Sequence, residues 1–252
     1  MQIPEGKKIY FASDFHLGSP NNKESLVREK KVVRWLNSIE ADVCELYLIG
    51  DVFDFWFEYK QTVPRGYTRL LGKLSELADR GVKIHLFTGN HDMWIFDYLP
   101  QEIGLELYRA PIDIEVNGKQ FYIGHGDGLG PGDQGYKFIK RVFANKVCQW
   151  LFRWIHPDLG IAMANFWSRT SRNSGQGTEK QFLGQDKEWL IIYAKEILQK
   201  KQYDYFIFGH RHIPLEVEIA DHSKYFNLGD WIEHFTYAVF DGSEMYLKKF
   251  ED

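Results

Sequence analysis

Short apolar runs, each closed by a polar cluster, punctuate the first part of the chain. KKIYFASD (7–14) ends in Asp14, ELYLIGD (45–51) in Asp51, and KIHLFTGN (83–90) in Asn90. Between them, LVREKKVVRWLNSI (26–39) and YTRLLGKLSELADRG (67–81) place apolar residues at helical spacing, the second closed by Gly81 as a C-cap. An order of strand, helix, strand, helix, strand predicts βαβ units and a parallel sheet.

The pattern changes further on. IDIEVNGKQFYIGHG (112–126) holds Asn-Gly between two alternating runs, the signature of a β-hairpin. A long aromatic-rich helical stretch is expected from about 134 to 170, then a loop at SRNSGQGT (171–178), a helix at 187–200 and a strand at YDYFIFGH (203–210). LEVEIA, KYFNLGD, TYAVFDG and MYLKKF read as short strands of a second sheet. The layout is α/β with two sheets: one domain over 1–252, with a helical insertion at about 130–178. Ligands of open α/β sheets bind at the carboxyl ends of strands, where these polar clusters lie.

Composition narrows the class. With 252 residues, 44% hydrophobic and 26% charged, the chain is an ordinary globular domain. A net charge of −4 argues against a dedicated nucleic-acid binder. Cys44 and Cys148 are too far apart for a CxxC site or a disulfide framework. MQIPEGKKIYFASD has no signal-peptide pattern and no apolar run has the length of a membrane span, so a soluble, cytoplasmic protein is expected.

Five clusters then line up: Asp14-Phe-His16, Gly50-Asp51-Val-Phe-Asp54, Gly89-Asn90-His91-Asp92, Gly124-His125-Gly126-Asp127 and Gly209-His210-Arg-His212. Each alone has a structural explanation. A carboxylate at a strand end caps a helix, GNHD makes a turn, and a lone histidine sits in a surface loop. In order, after five predicted strands, they supply a full ligand set for two divalent ions, Mn²⁺ foremost, with Fe or Zn²⁺ as alternatives. Such a pair needs a shared carboxylate and can activate water for in-line attack on phosphorus. Asp51 is the natural bridge. Asp14, His16 and His212 complete one position, and Asn90, His125 and His210 the other. Two ligating carboxylates against two dications leave positive charge for a phosphate.

The ordered set DxH, GDxxD, GNHD, GH, GHxH resembles the calcineurin-like metallophosphoesterases, over residues 9–231. The resemblance implies a four-layer α/β/β/α sandwich with the dimetal centre between two sheets. It also implies that His91 is the catalytic histidine, stabilising charge on the phosphoryl group or protonating a leaving oxygen, with Asp92 as its orienting partner.

Two features point to a substrate. GDVFDFW (50–56) and the segment GPGDQGYKFIKRVFANKVCQWLFRWIHPDLGIAMANFWSR look like the UDP-2,3-diacylglucosamine diphosphatases of lipid A biosynthesis. Those enzymes split the pyrophosphate of a UDP-linked diacyl sugar into UMP and the lipid monophosphate. Residues 137–180 hold eight basic and two acidic side chains, a net +6 in a chain of −4. They also hold Phe138, Phe143, Trp150, Phe152, Trp154, Phe166 and Trp167. A basic, apolar helical insertion suits a phosphorylated amphiphile or nucleotide sugar, and shallow docking on the anionic inner face of the cytoplasmic membrane. The alternatives are a helical hairpin whose aromatics cap the core, and a dimer interface. By resemblance, Asp133, Tyr136, Arg141, Arg169, Arg172 and Lys180 touch sugar, phosphates or nucleotide. The best-known enzymes of that pathway carry GNRD where this chain has GNHD, so the motifs specify the family ahead of the substrate. A phosphodiesterase or phosphatase on a soluble substrate is the competing enzyme reading. A metal-free binding module is the non-catalytic one.

Overall fold

The computed structural model describes residues 1–131, 134–175 and 181–251; side chains at 165, 167 and 169–175 lie outside that description. Its strands are β1 (Lys8–Ala12), β2 (Val43–Ile49), β3 (Lys83–Phe87), β4 (Glu106–Tyr108), β5 (Ile112–Val116), β6 (Lys119–Gly124), β7 (Tyr205–Phe208), β8 (Pro214–Ala220), β9 (Ser223–Leu228), β10 (Thr236–Phe240) and β11 (Met245–Lys249). The helices are α1 (Asn22–Ile39), α2 (Thr68–Asp79), α3 (Tyr98–Ile103), α4 (Gln134–Ala144), α5 (Lys146–Phe152), α6 (Pro157–Gly175) and α7 (Trp189–Leu198). Helix α1 begins before its apolar face because Asn21 caps it, accepting from the Lys23 and Glu24 N–H groups at 3.0 and 3.1 Å.

One sheet runs β11-β10-β1-β2-β3-β4 and the other β5-β6-β7-β9-β8. Strands β1 to β4 are parallel, as the βαβ reading requires. The Asn-Gly hairpin forms at Asn117 and Gly118, both at positive φ (49° and 81°), the turn that matches strand twist.

Alternation on these strands builds three layers of core. Ile9, Phe11, Tyr47, Ile49 and Phe87 face Phe121, Ile123, Ile207 and Phe226 across the space between the sheets. Tyr10, Leu46, Leu48 and Leu86 point the other way, onto Val32, Trp35 and Leu36 of α1 and Leu70, Leu74 and Leu77 of α2. Phe206, Phe208 and Tyr225 pack outward onto Leu190, Ile191 and Ala194 of α7. The order of layers is therefore α/β/β/α.

Two expectations change. TYAVFDG and MYLKKF leave the second sheet: β10 pairs antiparallel with β1, and β11 with β10. β10 is apolar on both sides, Ala238 and Phe240 toward the intersheet core and Val239 toward the α1 layer, so it fits beside β1. The loop expected at 171–178 is helical through Gly175, and 176–178 lie outside the described residues.

Helices α4 to α6 occupy the expected insertion. They are fastened by an aromatic cluster in which Phe143 and Phe152 pack on Phe57 and Trp94, and Trp94 Nε1 donates to the Phe143 carbonyl at 2.8 Å. Phe138, Trp150, Trp154 and Phe166 are 55–74% exposed. The insertion thus divides its aromatics between core and surface, with the Trp167 side chain outside the description.

Candidate metal centre

The polar clusters converge because β1, β2 and β3 run parallel in one sheet while β6 and β7 run parallel in the other, so their carboxyl ends meet at one edge. The backbones there are closely interleaved: the Asp14 N–H donates to the Gly50 carbonyl and the Gly209 N–H to the His125 carbonyl. Glycines permit this approach. A Cβ on Gly89 would overlap the Asp51 carboxylate, and one on Gly209 would stand 2.5 Å from Asp14 Oδ2. Asp14, His16, Asp51, His210 and His212 all lie in the left-handed region, φ 44–65°. Such conformations cost on the order of 1–3 kcal/mol each and persist where function holds them.

The donor atoms form two overlapping groups. Asp14, His16 and His212 bring ligand atoms within 4.8 Å of one another, and so do Asp51, His125 and His210. Asn90 Oδ1 joins the second group, 3.0 Å from His210 Nδ1 and 3.3 Å from His125 Nε2. Asp51 lies between the groups. Its Oδ1 accepts the His91 N–H at 2.9 Å, whereas Oδ2 faces His16 Nε2 at 3.7 Å and His125 Nε2 at 3.4 Å. One carboxylate oxygen therefore looks both ways.

The arrangement fits divalent cations better than it fits hydrogen bonding among its own members. His16 Nε2 and His212 Nε2 are 3.2 Å apart, and each faces Asp14 Oδ1, at 3.7 and 3.2 Å. Asp14 Oδ1 is nevertheless a buried acceptor with no hydrogen-bond partner. Carboxylate and imidazole lone pairs aimed at common points, with a carboxylate shared between them, are the donor set of a two-ion site.

Electrostatics reflect the crowding. Burial works against charge on Asp14 and Asp51, yet the surrounding imidazoles hold both well below the usual carboxylate range. Burial would lower His125, but the Asp51 carboxylate pushes it up to about 10, and Asp14 does the same for His212. Burial and the His125 charge together pull His210 down to about 4. Cations held by these donors would replace those protons, because imidazole ligates in its neutral form.

The groups behind the donors complete their orientation. His125 Nδ1 donates to the Ile49 carbonyl at 2.8 Å, and His212 Nδ1 faces Asp230 Oδ2 at 3.3 Å. Asp230 is fixed in turn by the N–H groups of Ile232, Glu233 and His234. Asp230 ends KYFNLGD as Asp51 ends ELYLIGD, and that shared apolar-run-Gly-Asp pattern is the signal in the sequence that marks it.

His91 borders the centre, with a ring nitrogen within 4.8 Å of the His16 and Asp51 donors. Asp92 is not its orienting partner. The buried Asp92 carboxylate turns under the loop, accepting from Gly89 N–H (2.7 Å), Val52 N–H (2.8 Å) and, at 3.3 Å, from the N–H groups of Asp51 and Phe53. Burial and the Asp51 charge push it up to about 7. His91 Nδ1 instead donates to the Asp54 carbonyl at 3.1 Å and meets Ser168 Oγ at 3.2 Å. Ser168, on α6 of the insertion, also donates to Asp54 Oδ2 at 3.0 Å. Nothing in the sequence singles out this serine.

The expected substrate residues are placed unevenly. The Tyr136 hydroxyl donates to Asp127 Oδ2 at 2.6 Å, beside Lys140 Nζ on the same oxygen, so it ties α4 to the His125 loop. Arg141 is exposed on α4. Asp133, Lys180 and the side chains of Arg169 and Arg172 lie outside the described residues.

The family model for calcineurin-like phosphoesterases matches residues 7–214. The chain is 39% identical to a UDP-2,3-diacylglucosamine hydrolase of Porphyromonas gingivalis, over 97% of this chain and 98% of that one. It is 25% identical to the enzyme of the same name from Histophilus somni, covering 89% and 92%. Among solved structures, Vacuolar Protein Sorting 29 from Cryptosporidium parvum superimposes with a TM-score of 0.50 at 11% identity, over 99% and 94%, a likeness of fold alone.

Proposed function

Since this chain belongs to the calcineurin-like phosphoesterase family, we propose that it is a dimetal hydrolase that splits the pyrophosphate of UDP-2,3-diacylglucosamine into UMP and 2,3-diacylglucosamine 1-phosphate. Asp51 Oδ2, set between two groups of donors, carries the phosphoester half of this reading. Identity of 39% across nearly the whole of a named relative supports the substrate half.

Water is added across the P–O–P bridge: the bridging oxygen leaves with one phosphorus and the water oxygen stays on the other. Two divalent cations, Mn²⁺ in this proposal, supply Lewis acidity and water activation when bound. Asp14, His16, His212 and Asp51 would hold one, and Asp51, Asn90, His125 and His210 the other. His91 serves the phosphoryl oxygens. With Nδ1 engaged by the Asp54 carbonyl, Nε2 is the nitrogen that holds or delivers a proton at the leaving oxygen. Ser168 couples this imidazole to the insertion, so seating of the insertion and orientation of the catalytic group are linked.

The exposed Phe138, Trp150 and Trp154 stand among Arg141, Lys146 and Arg153, and no helix among the described residues is long and apolar enough to cross a membrane. This supports docking of the insertion on the anionic cytoplasmic face of the membrane that holds the acyl chains. The test is UMP release from UDP-2,3-diacylglucosamine in anionic vesicles with Mn²⁺. Stoichiometric UMP and lipid monophosphate support the reading. No UMP, with bis-p-nitrophenyl phosphate cleaved well, overturns the substrate and leaves the family.

A further inference from the structure

A cavity of about 650 Å³ lies beside the metal centre, between α6 on one side and the starts of α1 and α2 on the other. That is within the range of ligand sites, roughly 300–1,000 Å³. It shares a wall with the centre: Gly18 and Phe55 line it, next in chain to the His16 and Asp54 loops. A Cβ on Gly18 would stand 2.7 Å from the Tyr67 hydroxyl and 3.5 Å from Asp54 Cβ, so these three groups form one partition. On the opposite wall, Asp158, Ile161 and Ala162 of α6 line the cavity. Ser168, which touches Asp54 and His91, lies further along the same helix, about 15 Å from Asp158 at 1.5 Å per residue. The space is therefore a groove leading away from the centre under α6.

We propose that this groove receives the nucleoside arm of the substrate, a pyrimidine ribonucleoside 5′-phosphate, while the acyl arm leaves over α4 and α5. The inference deepens the pyrophosphate reading and rests on it. The two arms of such a substrate differ in chemistry, and so do the two surfaces. Around α4 and α5 the exposed side chains include Phe138, Val147, Trp150, Leu151 and Trp154, a surface for hydrocarbon. The groove mixes apolar Leu26, Pro64 and Ile161 with polar Asn22, Ser25 and Thr68, and carries Arg65 and Arg69 at its rim. Hydroxyls and amides of this kind pair with a ribose and a pyrimidine edge, and the apolar side chains beside them cover the flat of the base. The half-buried rings of Phe55 and Tyr67 offer faces on which a base can stack. Tyr67 is held at φ 60°, a conformation that sequence alone would avoid and that recurs at ligand clamps. It stays there because Glu29 Oε1 accepts the Arg69 and Leu70 N–H groups that its own side chain does not cap.

The experiment compares two inhibitors of bis-p-nitrophenyl phosphate hydrolysis by the Mn²⁺-loaded full chain: UMP and inorganic phosphate. Both present phosphate to the centre, and only UMP can fill the groove. The wild-type chain should prefer UMP by ~10-fold or more, the size expected of one stacked and hydrogen-bonded base. Ala162→Trp, which fills the groove from an exposed helical position, should erase that preference. The double change Arg65→Ala, Arg69→Ala should reduce it. Inhibition by phosphate and turnover of the aryl diester should stay at wild-type values in both. An unchanged UMP preference in both variants overturns the inference, as does a wild-type chain that binds the two inhibitors alike. Unchanged UMP inhibition in Ala162→Trp with a raised KM for long-chain lipid places the acyl arm in the groove, which also overturns it. Failure of the wild-type chain to release UMP from the lipid is a separate result. It strikes the substrate reading, while the inhibitor comparison still reports on the groove.

Discussion

Replacing Asp92 by Asn separates two roles for that residue. Its carboxylate is fully buried and accepts four backbone N–H groups, two at 2.7 and 2.8 Å and two at 3.3 Å. An amide keeps one acceptor oxygen and turns the other position into a donor facing donors. Two of the four N–H groups then lose their acceptor without access to water. At about 1–3 kcal/mol for each buried unsatisfied group, the expected cost is ~2–6 kcal/mol. At roughly 2–4 °C per kcal/mol for a chain of this size, Tm should fall on the order of 10 °C. The assay is thermal unfolding in excess chelator, wild type and variant side by side, so that metal loss does not enter the comparison. The loop from Asp51 to Phe53 should loosen with it, weakening metal binding in the loaded protein. A variant with wild-type Tm, intact metal binding and reduced kcat would refute this reasoning. It would restore Asp92 as the partner that orients His91.

The other expectations concern the same loops and one site apart from them. His91→Ala should lower kcat ~10²–10⁴-fold, the size of a general-acid contribution, with both metal ions retained; full activity would assign the proton to another group. Ser168→Ala should lower kcat ~3–10-fold, the worth of one hydrogen bond, with Tm and metal content unchanged, and a kcat equal to wild type would uncouple α6 from His91. Gly89→Ala places a methyl against the Asp51 carboxylate and should weaken metal affinity ~100-fold, read by calorimetric titration; unaltered affinity would mean the loop gives way freely. Away from the centre, burial opposes the charge on Glu45, but the His85 ring 3.2 Å from its carboxylate and the Tyr47 hydroxyl that donates to it hold it below its usual 4.5. Its folded value is the lower one, so its stabilisation is present above about 4.5 and lost as pH falls through that lower value. Glu45→Gln should flatten the acid limb of Tm against pH, and superimposable profiles would contradict this.

The donors were legible because each sits where an apolar run stops, and four of the five clusters keep a glycine beside the ligand. Those glycines have a steric reason at Gly89 and Gly209. What joins distant segments was not legible. Asp92 follows His91 in sequence but serves the N–H groups of residues 51–53, a demand visible only once β2 and β3 lie side by side. Ser168 reaches Asp54 from 114 positions away, on a helix whose last described residues, 171–175, fall in a stretch that reads as loop. TYAVFDG alternates as well for one sheet as for the other, and pairing with β1 decides its place.

A titration of the metal-depleted chain with Mn²⁺ bears most directly on the centre itself. Asp51 and the six donor residues around it should bind two ions per chain, with UMP release appearing only as the second is filled, and Asp51→Asn should lose both. Full turnover with a single bound ion, or two ions held undiminished by Asp51→Asn, would contradict the shared-carboxylate centre.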